Sequence, residues 1–162
     1  MKRISVVAVV MAICFMPCVA QKVTKGSLSV LKNEKQLNLV CDFTKCTIDK
    51  KPSEYYIKKD PKWDEGVAEI ITRFGEGLST KVNTLIVGQY PEAKYTLVYN
   101  LEKIDDDEDS FGTMVLKDTQ TGDILAIIHD ANGSAGHFGS FFNLLGDAFE
   151  NLGKKIGKLI KK

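Results

Sequence analysis

The feature that most constrains this chain is its last stretch, from Phe138 to Ile160. Phe138, Phe141, Phe142, Leu145, Phe149, Leu152, Ile156 and Leu159 fall at helical spacing and form one apolar stripe. Gly139, Gly146 and Gly153 recur every seven residues, with Gly157 one turn further. The pattern predicts a single glycine-punctuated amphipathic helix. Each interior glycine costs about 1 kcal/mol relative to alanine, so such a row implies that something comes close to this face. Two readings follow. The helix docks tightly on the domain's own sheet, or it meets a partner or membrane through a small-residue seam. Lys154, Lys155, Lys158, Lys161 and Lys162 give it a basic end that suits a helix C-terminus and could touch anionic lipid. The candidate interaction residues are therefore Phe138, Phe141, Phe142, Gly146, Phe149, Gly153, Lys154, Lys155 and Lys158. The partner expected on this reading is another envelope protein or the membrane surface.

An envelope setting is expected because of the other end of the chain. Met1-Lys2-Arg3 is a short positive region, Ile4 to Met16 is apolar, Pro17 breaks it, and Cys18-Val19-Ala20 places small residues before Gln21. That is the three-part layout of a cleavable secretory signal. A transmembrane helix needs about 20 apolar residues, and this run stops short of that. A lipoprotein signal fits badly, since Ala12-Ile13 and Met16-Pro17 are the residues before the two early cysteines. Cleavage after Ala20 leaves residues 21–162 as one domain, large enough to bury a core. The expected location is the periplasm, with outer-membrane association open.

Removing the signal takes away Lys2 and Arg3, which leaves 20 basic against 21 acidic side chains. A near-neutral total argues against a dedicated nucleic-acid binder. Two cysteines remain, Cys41 and Cys46. In one extended strand their side chains would lie about 16 Å apart on opposite faces, whereas a disulfide needs Cα atoms within about 7 Å. Free thiols are the expectation.

Along residues 21–162, Ser27 to Leu31 alternates like a strand, and Lys32-Asn33-Glu34-Lys35 reads as a turn. Leu37, Leu39, Cys41 and Phe43 then recur at period two in a strand running from about Gln36 to Ile48. These two segments suggest a hairpin. Ser53 after Pro52 opens a short helix, and Asp60-Pro61 caps a longer one from about Lys62 to Asn83. Trp63, Val67, Ile70, Ile71, Phe74, Leu78 and Val82 form its apolar face. Tyr95 to Leu101, Phe111 to Lys117 and Asp123 to His129 alternate as three further strands, the last two joined by a turn at Asp118 to Gly122. The fold class expected is α+β: about five largely antiparallel strands with helices on one face.

No chemistry-bearing motif rises above background. The acidic run Asp105 to Asp109 fails as a calcium loop, because positions six and twelve hold Ser110 and Leu116. It reads as a solvated hairpin tip. His129 and His137 have only Asp130 beside them, too few ligands for a metal. Asn132 to Gly136 lacks the spacing of a nucleophile elbow, and the sequon at Asn132 is a chance match. The chain is expected to be neither an enzyme nor a cofactor protein. It reads instead as a non-enzymatic envelope accessory or binding protein. The alternative is a small-ligand carrier or enzyme with a pocket between sheet and helices, lined by Trp63, Tyr95 and Tyr99.

Several stretches taken together resemble a known family. They are Leu37-Asn38-Leu39, Asp42 to Asp49, Ser53-Glu54, Lys62-Trp63 and the tail from Gly133 to Lys162. Within the tail, Asn143-Leu144-Leu145-Gly146-Asp147 and Gly153 to Lys158 are the most distinctive part. They are similar to small exported proteins of unknown function common in Bacteroidales. A more distant likeness is to periplasmic α+β domains and lipoproteins that end in a glycine-rich helix. The resemblance implies an envelope location and an α+β fold, and it carries over no site residues. It also places Cys46 at a small-residue position, which suits a free thiol.

Overall fold

The computed structural model describes residues 22–162; the signal-peptide expectation falls on residues 1–20, outside them. The chain runs β1 (Lys22–Gly26), a 3-10 turn (Ser29–Asn33), β2 (Gln36–Asp42), β3 (Thr47–Ile48), β4 (Lys51–Pro52), α1 (Ser53–Ile57) and α2 (Trp63–Ser79). It continues through β5 (Ile86–Gly88), β6 (Tyr95–Ile104), β7 (Ser110–Asp118), β8 (Ile124–His129) and α3 (Phe141–Lys161). The α+β class stands.

The sheet is larger and more mixed than the alternation in the sequence suggests. Eight strands take part, in the order β1-β8-β7-β6-β2-β5, with β3 joining β6 and β4 joining β3. β2 runs parallel to both β5 and β6, and β3 is parallel to β6, while β1–β8, β6–β7, β7–β8 and β3–β4 are antiparallel. The parallel pairs arise because the chain leaves β2, passes through α1 and α2, and returns to the same sheet.

The expected first hairpin is absent. Ser27 Oγ accepts the Ser29 N–H at 3.0 Å, which turns the chain into the 3-10 segment instead of a strand. The pairing strand lies earlier, at β1, on the far edge of the sheet. The long strand expected from Gln36 to Ile48 also breaks in two. Asp42 Oδ1 accepts the Thr44 N–H at 2.8 Å, and this side-chain turn ends β2.

One sheet face carries the core. Leu39, Leu97, Leu116 and Ala126 stand in register across β2, β6, β7 and β8, and all are buried. Tyr99 and Met114 form the adjacent row, and Phe149 of α3 packs on Tyr99 with ring centroids 5.5 Å apart. The opposite face carries Val40, Val98, Val115 and Ile127, also in register and only partly covered.

α3 docks chiefly on α2. A β-carbon at Gly153 would collide with the Phe74 carbonyl oxygen, one at Gly77 with the Glu150 carbonyl, and one at Gly157 with Lys81 and Leu78. The close approach that the glycine row implies is therefore met by a helix and not by the sheet. Arg73 of α2 locks the pair by reaching Asp147 and, at 3.1 Å, Glu150. α3 begins at Phe141 rather than Phe138, since Ser140 is extended and serves as N-cap. α2 ends at Ser79, short of Asn83, where the Ser79 and Thr80 hydroxyls donate back to the Glu76 and Gly77 carbonyls.

Candidate functional site

The candidate interaction residues divide between core and surface. Gly146, Phe149 and Gly153 are buried, and Leu145, Leu152 and Ile156 of the same stripe are fully enclosed. Lys154 pairs with Glu150 at 2.7 Å, and Lys155 donates to the Asn132 carbonyl at 2.8 Å. Lys158 is exposed. Phe141 and Phe142 are half-buried, and Phe138 stands 96% exposed.

The loop that leads to Phe138 is tethered as far as Ala135. Ser110 and Gly133 exchange two backbone hydrogen bonds, each of 2.9 Å. Asp109 Oδ1 accepts the Ala135 N–H at 2.7 Å, Asn151 Nδ2 donates to the Ser134 carbonyl at 2.9 Å, and Lys155 grips Asn132. The acidic hairpin tip thus does more than face water: its last carboxylate fixes this loop. Beyond Gly136 these ties cease, and the chain presents Phe138 before turning into α3.

At the start of α3, Phe141 and Phe142 enter an aromatic corner. Trp63 opens α2, whose N-cap is Lys62 and not Asp60; Asp60 Oδ1 accepts the Lys62 N–H at 2.9 Å in the turn before the helix. Phe141 stacks on Trp63, with centroids 6.2 Å apart and planes at 28°. Phe43 and Phe142 meet the same indole edge-on, each at 5.3 Å. Gly66 allows this, since a β-carbon there would overlap the Phe142 ring. Tyr56, Lys59, Asp60, Pro61, Trp63 and Phe141 line a surface cleft of about 320 Å³.

α1 extends the corner outward. Ser53, read from sequence as an N-cap, is the first helical residue, and its hydroxyl donates to the Phe43 carbonyl at 2.7 Å. This ties α1 down and leaves its other side to solvent. Tyr55 and Ile57 are 43% and 37% exposed. The Tyr55 ring carries Lys59 Nζ at 4.0 Å and Lys51 Nζ at 5.0 Å from its centroid, and it packs edge-on against Tyr56. The hydrogen bond from Lys59 and then the nearby lysine charges lower the Tyr55 phenol below its ordinary range.

The remaining candidates carry structure. Tyr99 and Tyr95 belong to the core, so of the three aromatic residues expected to line a pocket only Trp63 borders a cleft. Tyr99 Oη donates to the Ala131 carbonyl at 2.6 Å, and burial raises its phenol well above the usual value. Cys41 and Cys46 are free, and burial pushes each thiol up to about 12. Protonated thiols of this kind are poor nucleophiles. His129 and His137 are exposed, and among the described residues no cluster of three or more His, Cys, Asp or Glu is placed to hold a metal.

Reading the sequence did not bring Tyr56 and Trp63 together with Phe141. Charge offered no signal: residues 42–65 hold six lysines against the six acids Asp42, Asp49, Glu54, Asp60, Asp64 and Glu65.

No family model matches the chain, and no curated protein matches it in sequence. Among solved structures, a dodecameric PelC variant from Paraburkholderia phytofirmans is similar at TM-score 0.44 and 11% identity, covering 84% of this chain and 96% of that one. A second PelC dodecamer from the same organism is similar at TM-score 0.44 and 10% identity, covering 82% and 94%. A likeness of that depth carries nothing about the role of this chain.

Proposed function

We propose that this protein is a non-enzymatic, exported binding protein of the cell envelope, located in the periplasm, that contacts another envelope component through the corner formed by α1, the start of α2 and the loop before α3. One observation carries the reading: Phe138 stands 96% exposed three residues before Phe141, which lines a surface cleft with Tyr56 and Trp63. A bare aromatic side chain next to further aromatic surface is a costly arrangement in water, and aromatic anchors dominate binding surfaces. The apolar stripe of α3 is spent on its own domain, so contact through α3 passes to its leading edge.

The test is retention of the chain starting at Gln21 on isolated envelope fractions. Phe138→Ser is expected to lower retention severalfold while leaving the melting temperature unchanged. Equal retention of the two proteins removes the reading.

A second reading, a small-ligand carrier, draws on the cleft itself. Its volume of about 320 Å³ sits at the small end of ligand sites. It opens to the surface instead of lying between sheet and helices, where Phe74, Tyr99 and Phe149 fill the interior. Stabilisation of the fold by a small organic ligand, lost in Tyr56→Ala, would favour this reading over the first.

A further inference from the structure

Where α2 and α3 end, three lysines from three separate segments surround one small pocket. Lys32 comes from the 3-10 turn, Lys81 from the loop after α2 and Lys161 from the close of α3. With Val82, Asn83 and Ile160 they line a surface cavity of about 210 Å³. Packing holds them there. A β-carbon at Gly157 of α3 would lie 2.8 Å from Lys81 Cβ, so the Lys81 stem rests against that glycine. Lys161 stands four residues after Gly157, one turn further on the same side of the helix. Leu31, next to Lys32, is fully buried and anchors the third segment in the core.

The three ammonium groups are unpaired. Lys58, Lys94, Lys103 and Lys154 each meet a carboxylate, whereas Lys32, Lys81 and Lys161 have no ion pair or side-chain hydrogen bond among the described residues. No carboxylate side chain lines the pocket. The acids nearest in the chain are engaged elsewhere: Glu34 pairs with Lys94 at 3.7 Å, and Glu76 lies 3.9 Å from Arg73. What opposes the cluster is the main-chain carboxylate of Lys162 and the ends of α2 and α3, each helix end equivalent to about half a negative charge. Lys158 and Lys162 add two more cations to the last turn of α3, so this end of the fold stays positive.

Like charges converge at a cost that a bound counter-charge removes. The cavity sets the size of that counter-charge, since about 210 Å³ falls below the range of drug-sized sites and suits a compact oxyanion. Lysines hold phosphate as point charges, and a phosphate monoester carries close to two negative charges at neutral pH. A bilayer is a poorer fit. Of the two apolar lining residues, Ile160 is 1% exposed and Val82 half-buried, so neither offers a side chain for insertion.

We propose that Lys32, Lys81 and Lys161 form a binding site for a phosphate group carried by a small soluble anion. The site lies at the opposite ends of α2 and α3 from the aromatic corner and does not depend on the reading of that corner.

Titration of the chain starting at Gln21 with inorganic phosphate, followed by amide NMR shifts at ionic strength held constant with sodium chloride, tests it. That chain keeps the whole sheet and core. Saturable shifts confined to residues 31–33, 80–84 and 157–162 are expected. Lys81→Gln and Lys161→Gln should each weaken binding about tenfold, as one cation facing a dianion is lost. Lys161 is exposed, so its replacement leaves the fold intact and the melting temperature in chloride unchanged. Lys58→Gln, on α1's far side of the molecule's charge map and already paired with Glu54, should bind phosphate as the parent does. Shifts no larger than chloride alone produces overturn the site, as does equal weakening in Lys58→Gln. Flotation on phosphatidylglycerol vesicles that Lys81→Gln abolishes overturns the soluble anion and puts the phosphate on a lipid.

Discussion

Gly153 of α3 lies against the main-chain carbonyl of Phe74 on α2, with no room for a β-carbon between them. Gly77 of α2 returns the contact on the carbonyl of Glu150. Two helices thus approach backbone to backbone, each supplying the glycine that the other needs. The glycine cost in helix propensity is offset by the packing that this approach permits, and the terminal helix is committed to the fold.

The contact makes the two central glycines of α3 unequal. A β-carbon at Gly146 would sit 3.4 Å from Arg73 Cγ, an ordinary contact with a flexible side chain. Gly146→Ala should therefore keep or raise the melting temperature, by up to about 1 kcal/mol of helix propensity. Gly153→Ala meets backbone and should lower stability by about 1–3 kcal/mol. Thermal melts of the two variants decide it, and a rise for Gly153→Ala would contradict the docking.

Tyr99 offers a second test within the core. Its hydroxyl, fully enclosed, satisfies the Ala131 carbonyl and lies 3.3 Å from Ser110 Oγ. Tyr99→Phe leaves that carbonyl short of a donor at a cost of about 1–3 kcal/mol. Denaturant unfolding should show the loss; unchanged stability would mean the bond contributes nothing net.

The thiols should be inert in the folded state. With Cys14 and Cys18 outside the chain that starts at Gln21, only Cys41 and Cys46 remain. Burial pushes both up to about 12, so a thiol reagent at mildly alkaline pH should label neither quickly. Denaturation should release two equivalents. Rapid labelling of the native protein would place a thiolate where the fold provides none.

Acid should loosen the α2–α3 clasp. The hydrogen bond and charge of Lys154, with the charge of Arg73, hold the Glu150 carboxyl below its ordinary value of 4.5. A carboxyl depressed in the folded state stabilises fully above that value and loses its contribution as pH falls through the folded-state value. The melting temperature should drop below about pH 4.5, and Glu150→Gln should flatten part of that drop. The group is partly exposed, so the effect is modest. Identical pH profiles for the two proteins would remove Glu150 from the account.

What the sequence revealed tracks where burial is one-sided. β6 alternates between buried and half-covered positions from Tyr95 to Leu101, and it was legible for that reason. β1 is exposed at four of five residues, β3 and β4 have two residues each, and none of these prints a period. Ser27 to Leu31 did alternate, but the Ser27 hydroxyl bends the backbone before a strand can form. The glycine row announced a close approach without naming the other surface, since a sheet and a helix demand the same missing side chains. Trp63 and Phe141 meet only because α2 and α3 pack together, and no local pattern encodes a contact so distant in sequence.

The measurement that bears most directly on the corner is hydrogen–deuterium exchange of the chain, free and bound to envelope vesicles. Exposed backbone that becomes covered slows its exchange. Protection confined to residues 51–62 and 136–142 is the predicted result. Protection at residues 154–162, or across the strands bearing Val40, Val98 and Val115, with the corner unchanged, would contradict it.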